Sequence, residues 1–236
     1  MSNSLNIAAA SHEGKLFIVQ QTVQANPAAV NTKDEVSMRN RNLTHCDERT
    51  PLHWAASGGH LDITEYLIRQ KADVDATDDA GWTALLIASS AGHTAVVQFL
   101  IESGADVNAQ NDSGQTALHY AASKNRLDIG KLLIEKGADV NKLNNLKQAP
   151  IHRAAAQGYT AFVRMLIEPG KSKVNIRDSV SNTPLHLACE EGRGDTATLL
   201  IEKGADPDLV NKSGQYPLDL CPTKQIHAFI EKAIEQ

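Results

Sequence analysis

Thr83-Ala84-Leu85-Leu86-Ile87-Ala88-Ser89-Ser90-Ala91-Gly92-His93 leads into Val96-Val97-Gln98-Phe99-Leu100-Ile101-Glu102-Ser103-Gly104-Ala105-Asp106-Val107-Asn108, and the pattern restarts at Thr116-Ala117-Leu118-His119. Equivalent starts stand at Thr50-Pro51-Leu52-His53, Ala149-Pro150-Ile151-His152, Thr183-Pro184-Leu185-His186 and Tyr216-Pro217-Leu218-Asp219. Counted from Thr50, successive starts lie 33, 33, 33, 34 and 33 residues apart. A fixed period of this size marks a solenoid whose units bury their apolar faces only against neighbours.

Each unit has one physical logic. Thr stands at an N-cap, Pro follows at the first helical position, and a short helix runs through Leu-His-x-Ala. A turn such as Gly58-Gly59 or Lys124-Asn125 reverses the chain into a second helix with apolar residues at helical spacing, as in Leu127, Ile129, Leu132 and Leu133. Gly104, Gly137 and Gly204 follow these helices, where a left-handed residue ends them. Asp78-Asp79-Ala80-Gly81 exemplifies the β-turn tip that precedes the next start. Thr-Pro-Leu-His-x-Ala at this period resembles the ankyrin repeat. The expected fold is all-α: an ankyrin-repeat solenoid of about seven helix-turn-helix repeats with β-turn tips.

The expected organisation is a single domain over residues 1–236. Residues 1–36 form an N-terminal capping repeat, 37–49 an inserted loop and turn tip, 50–215 five full repeats and 216–236 a C-terminal cap. From Leu16 to Thr50 is 34 residues, whereas Leu61 to Thr83 is 22, so about twelve extra residues sit between Asn26 and Arg49. Their polar and small side chains predict an exposed loop over 28–45. Lys71 stands where other repeats have glycine and is expected to strain its cap. Glu168-Pro169-Gly170-Lys171 carries the extra residue of the 34-residue step.

The net charge of −5 and the absence of a dense Lys/Arg block argue against nucleic acid as partner. Cys46, Cys189 and Cys221 are odd in number and far apart in sequence, which predicts no disulfide framework and a reducing compartment. Residues 1–25 lack a basic start with an apolar core, and no apolar run reaches the ~18 residues of a membrane span. A soluble, intracellular chain with no membrane partner is expected.

His53, His119, His152 and His186 align along the array. Repeats stack ~10 Å apart and zinc ligands converge at ~2 Å, so one histidine per repeat does not make a metal site. The expected role is a ring nitrogen bonding loop backbone between repeats, with no metal and no cofactor. No phosphate loop, Cys-x-x-Cys or nucleophile elbow is present, and no enzyme is expected. Leu187-Ala188-Cys189-Glu190-Glu191 matches a pocket-protein ligand pattern, but using it would require melting a first helix.

Positions that the repeat leaves free are the candidate binding residues: Asp47, Arg49, Asp79 and Trp82 at turn tips, and Trp54, Tyr120, Lys124, Arg126, Arg153, Glu190 and Glu191 on or after first helices. Their order is acidic, then basic (Lys124, Arg126, Arg153), then acidic, punctuated by Trp54, Trp82 and Tyr120. Aromatic anchors with patterned charge suit a protein-binding groove.

Asp78-Asp79-Ala80-Gly81-Trp82, Leu118-His119-Tyr120-Ala121-Ala122-Ser123-Lys124-Asn125-Arg126, His152-Arg153-Ala154-Ala155-Ala156 and Thr183-Pro184-Leu185-His186-Leu187-Ala188-Cys189-Glu190-Glu191 together resemble the gankyrin-type family. The repeat count and the one-residue insertion before repeat six fit its fungal members. The chain departs in its twelve-residue insertion, in Leu86 for histidine and in Ala149 for threonine. The resemblance implies a non-catalytic assembly chaperone of the 26S proteasome regulatory-particle base, cytoplasmic and nuclear, a monomer when free. It would clasp the C-terminal domain of one proteasomal AAA ATPase subunit in its concave groove. The contacts carried over by motif are Asp47, Arg49, Asp79, Lys124, Arg126, Glu190 and Glu191. The alternative from architecture alone is an ankyrin adaptor or inhibitor of a transcription factor or kinase.

Overall fold

The computed structural model describes residues 7–34, 48–168 and 172–235, and among these every regular element is a helix. The chain divides into two compact units that meet between Asp112 and Ser113 in sequence. The first holds α1 (Ile7–His12), α2 (Leu16–Ala25), a 3-10 turn (Pro27–Asn31), α3 (Pro51–Gly58), α4 (Leu61–Arg69), α5 (Ala84–Ala91) and α6 (Thr94–Glu102). The second holds α7 (Ala117–Ser123), α8 (Leu127–Glu135), α9 (Pro150–Gln157), α10 (Thr160–Ile167), α11 (Pro184–Glu190) and α12 (Gly194–Glu202). It ends in a 3-10 turn (Pro217–Leu220) and α13 (Lys224–Ile234). Among the described residues, three helix pairs thus make one unit, and three helix pairs with a last 3-10 turn and helix make the other.

Within each unit the core is the contact between successive pairs. Val19, Leu52, Ile63, Leu67, Leu85 and Leu100 are buried in the first unit, and Leu118, Ile129, Leu133, Ile151, Phe162, Leu166, Leu185 and Leu200 in the second. Gly130 shows how closely the second helices approach. A Cβ there would lie 2.6 Å from Cζ of Phe162, so the ring occupies the space that the glycine leaves. Glycine in a helix costs about 1 kcal/mol relative to alanine, and a fully buried aromatic ring more than offsets it.

The four aligned histidines join one repeat to the next. His53 Nδ1 accepts from the Thr50 backbone N–H (3.1 Å), and Nε2 lies 2.9 Å from the Trp82 carbonyl. His119 repeats this with Thr116 (3.2 Å) and Gln148 (2.9 Å), and His186 with Thr183 (3.2 Å) and Gln215 (3.2 Å). His152 bonds the Ala149 N–H and the Asn182 carbonyl, although Ala149 supplies no hydroxyl. A carbonyl only accepts, so Nε2 carries the proton and Nδ1 takes the amide: one neutral tautomer satisfies both sides. Burial, before any other influence, lowers the affinity of all four rings for a second proton, and that of His119 falls to about 4.

A second ladder runs along the connections. Asn31 accepts from the Asp73 N–H, Asp75 from Asp106, Asn141 from Lys173 and Asn175 from Asp206, at 2.9 to 3.0 Å. Asn31 thus belongs to the regular pattern, which corrects the expectation of a loop beginning at residue 28: Ala29 and Val30 are buried in the 3-10 turn. The same register makes Asp34 the first residue of a turn tip. In ordinary tips, one side-chain oxygen of Asp78, Asn144, Asp178 or Asn211 accepts from the N–H four residues on, at 2.8 to 3.1 Å. Asp34 makes this bond to the Arg49 N–H at 2.7 Å, and its own N–H donates to the Arg49 carbonyl. Glu48 takes the left-handed φ of 48° that Gly81 takes at 73°. The insertion therefore lies inside the first turn tip, with the base of that tip intact. Residues 35–47, including most of the expected loop and Asp47, lie outside the described residues, as do Pro169, Gly170 and Lys171 of the second insertion.

Lys71 adopts φ 67°, and its repeat ends with the same bond pattern that Gly104 serves after α6, namely the N–H of the following alanine to the carbonyl four before the left-handed residue. A side chain costs about 1 kcal/mol in that region, so Lys71→Gly should raise the urea midpoint. An unchanged or lower midpoint would contradict the strain. The histidines predict a pH dependence of definite sign. Their folded values lie below the ordinary 6.5, so the stabilisation is complete above pH 6.5. It is lost progressively as pH falls towards 4, where the unfolded rings are already charged. For His119 the loss amounts to about 3 kcal/mol, so unfolding midpoints measured from pH 7 to 4.5 should decline steadily. A flat profile would rule out the neutral buried rings.

Candidate protein-binding surface

The fourth residue after each capping position points away from the inter-repeat core in the second unit, where Tyr120, Arg153 and Leu187 are half-buried. In the first unit the same position is closed. Trp54 is 3% exposed, its indole N–H donates to Asp34 Oδ2 at 2.9 Å, and the Arg49 guanidinium lies 5.2 Å from the ring centroid. His12 packs edge-on to the same ring at 5.6 Å. Trp54 is thus satisfied by its own unit and is not the open aromatic anchor that its sequence position suggested. The signal that was available is Val30-Asn31, which matches Val140-Asn141 and places Asp34 at the tip beside Trp54.

Arg49 is likewise committed within its unit. Its Nε lies 3.0 Å from Oδ2 of Asp78, a carboxylate with only 1% of its side chain exposed, and the indole covers the guanidinium on another side. Removing either partner would leave a charge with little water around it. Asp79 is exposed at the next tip position. Trp82 is half-buried, and its main chain is fully used, the N–H by Asp78 and the carbonyl by His53.

In the second unit, Lys124 ends α7 and Arg126 opens α8, with Asn125 between them at φ 54°. The left-handed residue turns the chain between the helices and leaves both cationic side chains exposed. Glu190 and Glu191 occupy the corresponding end of α11 and are also exposed. Basic and acidic pairs therefore sit at equivalent turns two repeats apart. Their register comes from the helix pair.

Cys189 is fully buried in α11 and lies near Cys221, a proximity that their 32-residue separation in sequence does not suggest. Burial pushes both thiols up, the Cys189 thiol most strongly, which holds them protonated and unreactive. The Leu187-Cys189-Glu191 pattern is helical, with its middle side chain in the core, and does not present an extended strip. The bridging histidines have both ring nitrogens occupied. Among the described residues, no group of three or more His, Cys, Asp or Glu side chains is arranged to hold a metal.

Comparison with known proteins agrees with this architecture. A family model described as "Ankyrin repeats (3 copies)" matches residues 5–111, 81–144 and 118–211. The chain is 36% identical over 223 residues to "Probable 26S proteasome regulatory subunit p28" of Saccharomyces cerevisiae, covering 92% of this chain and 93% of that protein. It is 40% identical over 76 residues to "26S proteasome non-ATPase regulatory subunit 10" of Dictyostelium discoideum; that match spans 32% of this chain and 28% of the relative's own length. Among solved structures, the human ASB11 ankyrin repeat domain superposes with a TM-score of 0.80 over 99% of this chain and 98% of its own, at 23% identity, a likeness of fold alone. Repeats bridged by histidine, successive helix pairs and near-complete alignment with the yeast proteasomal subunit converge: the chain belongs to the gankyrin-type family of ankyrin-repeat proteins.

Proposed function

We propose that the protein is a non-catalytic chaperone of proteasome assembly, working in the cytoplasm and nucleus. It binds the C-terminal domain of one proteasomal AAA ATPase subunit while the regulatory-particle base is put together. The observation that carries this reading is the alignment with yeast p28 over 92% of the chain, because a shared repeat alone would match in short stretches. The exposed charges support it. Lys124 with Arg126 and Glu190 with Glu191 are exposed at turns between paired helices, where their charges can meet a partner. Asp79 offers an acidic contact in the first unit, and Tyr120 and Arg153 offer partly open side chains in the second. Arg49 and Trp54 act in this reading as supports that hold the first tip, and contact the partner only at the margins.

Affinity capture from lysate at low salt tests the proposal. Recovery of a base ATPase without core-particle subunits is the expected result; recovery of a transcription factor or kinase in its place would overturn it in favour of an adaptor. Reversing Lys124 and Arg126 to Glu then tests the basic contact. Both side chains are exposed, so the melting profile should stay within ~0.5 kcal/mol of wild type. Binding should weaken by about 2–5 kcal/mol, the usual cost of removing a desolvated interfacial charge, and wild-type association should slow as salt is raised. Full binding by the folded variant would remove the basic pair from the interface.

A further inference from the structure

Three turn tips of the second unit lie side by side. The Ser179 N–H donates to the Leu146 carbonyl at 2.9 Å, and the Lys212 N–H to the Val180 carbonyl at 3.0 Å. Leu146 and Val180 occupy the same position in consecutive tips, and they are 57% and 51% exposed. Nothing in the tip requires an apolar side chain there. The turn is made by main-chain bonds to Asn144 and Asp178, and the equivalent residues elsewhere are Ala80, Ser113 and Ser213. The Ser179–Leu146 bond sets the two tips side by side, so both exposed apolar side chains stand on adjoining tips.

The surroundings of these two side chains are basic. Lys147 follows Leu146, and the Lys212 ammonium is anchored beside Val180 by a 2.7 Å bond to the Ser179 carbonyl. Lys142, Lys173 and Arg177 lie on the adjoining connections. Within 141–150, 172–183 and 208–216 the acidic residues are Asp178, whose carboxylate is buried and spent on the N–H groups of Val180 and Asn182, and Asp208, exposed three residues before the third tip. The tip of the first unit at Asp78-Asp79-Ala80-Gly81 has the opposite character, acidic and with only the methyl of Ala80 at the equivalent position.

We infer that Leu146 and Val180, rimmed by Lys147 and Lys212, form an apolar docking point for the ATPase domain, receiving an apolar side chain that the partner flanks with carboxylates. The inference rests on the assembly-chaperone reading above and adds to it a contact of a different kind. Apolar burial supplies affinity that salt does not screen, while the lysine rim selects the acidic flank. The charged turns at Lys124 and Glu190 supply steering, which salt weakens.

Calorimetric titration with recombinant C-terminal domains of the proteasomal AAA ATPase subunits, each assayed separately, provides the test. Leu146→Ser with Val180→Ser installs what neighbouring tips already carry, so its melting curve should match wild type. Its affinity should fall about 10- to 100-fold, as for central apolar anchors, with a less negative heat-capacity change of binding because less apolar surface is buried. Leu146→Ser alone carries the test if the double variant melts early. Unchanged affinity, or weakened affinity with an unchanged heat-capacity change, overturns the apolar docking point and leaves the chaperone reading standing. Failure of the wild-type chain to bind any of the domains overturns the chaperone reading and removes this occupant with it. Sedimentation showing wild-type self-association that the Ser variant abolishes would assign the patch to a second copy of the chain and also overturn the inference.

Discussion

Where a histidine closes a repeat onto the next, as it does from four repeat starts but not at Leu86, it sets the terms for the structure around it. Its Nδ1 must accept from the capping residue's amide and its Nε2 must donate to a carbonyl 29 or 30 residues ahead, as between His119 and Gln148 or His152 and Asn182. Both bonds are buried, and an unmet buried partner is costly. The helix pair between them is therefore held nearly to one length: the His152 bridge spans 30 residues because the one-residue insertion falls within it, and the other bridges span 29. One insertion opens at a turn tip and the other follows α10. The 33-residue period fits this geometry and is kept from Thr83 to Thr116, where Leu86 makes no such bridge.

What the bridge leaves free becomes surface with a purpose. Exposed side chains at helix ends, such as Lys124, Arg126, Glu190 and Glu191, carry the charge pattern. The same register position has two fates. In the second unit Tyr120 and Arg153 remain partly open, whereas in the first Trp54 is covered by Asp34, Arg49 and His12. A repeat position defines a direction, and the neighbours decide whether that direction meets water.

This difference explains what could be read from the sequence. The period, the caps, the histidine role and the left-handed Lys71 follow from local chemistry repeated many times, and each was legible. The placement of Trp54 depends on Asp34, whose membership of a tip is hidden by the residues inserted between it and Arg49. The closeness of Cys189 to Cys221 depends on how α11 meets the last 3-10 turn, a contact that no motif spells out. Leu146 and Val180 were visible as letters, but their exposure and adjacency come from bonds between tips. Binding roles for the charged residues are chemistry that awaits a partner.

The clasp formed by Asp34 and Arg49 has a consequence for how such chains diversify. It closes the tip at its base with two bonds, the Arg49 N–H to the Asp34 carboxylate and the Asp34 N–H to the Arg49 carbonyl, and so leaves the helices in register whatever the number of residues between them. Lengthening a closed loop from three intervening residues to fourteen costs only about 1.4 kcal/mol in closure entropy, a sum that the tryptophan seated on the clasp helps to absorb. The tip is thus a natural grafting port. Foreign peptides spliced between such clasped residues would be displayed from a fixed anchor, and evolution has the same freedom to lengthen, shorten or rewrite recognition there without renegotiating the repeats.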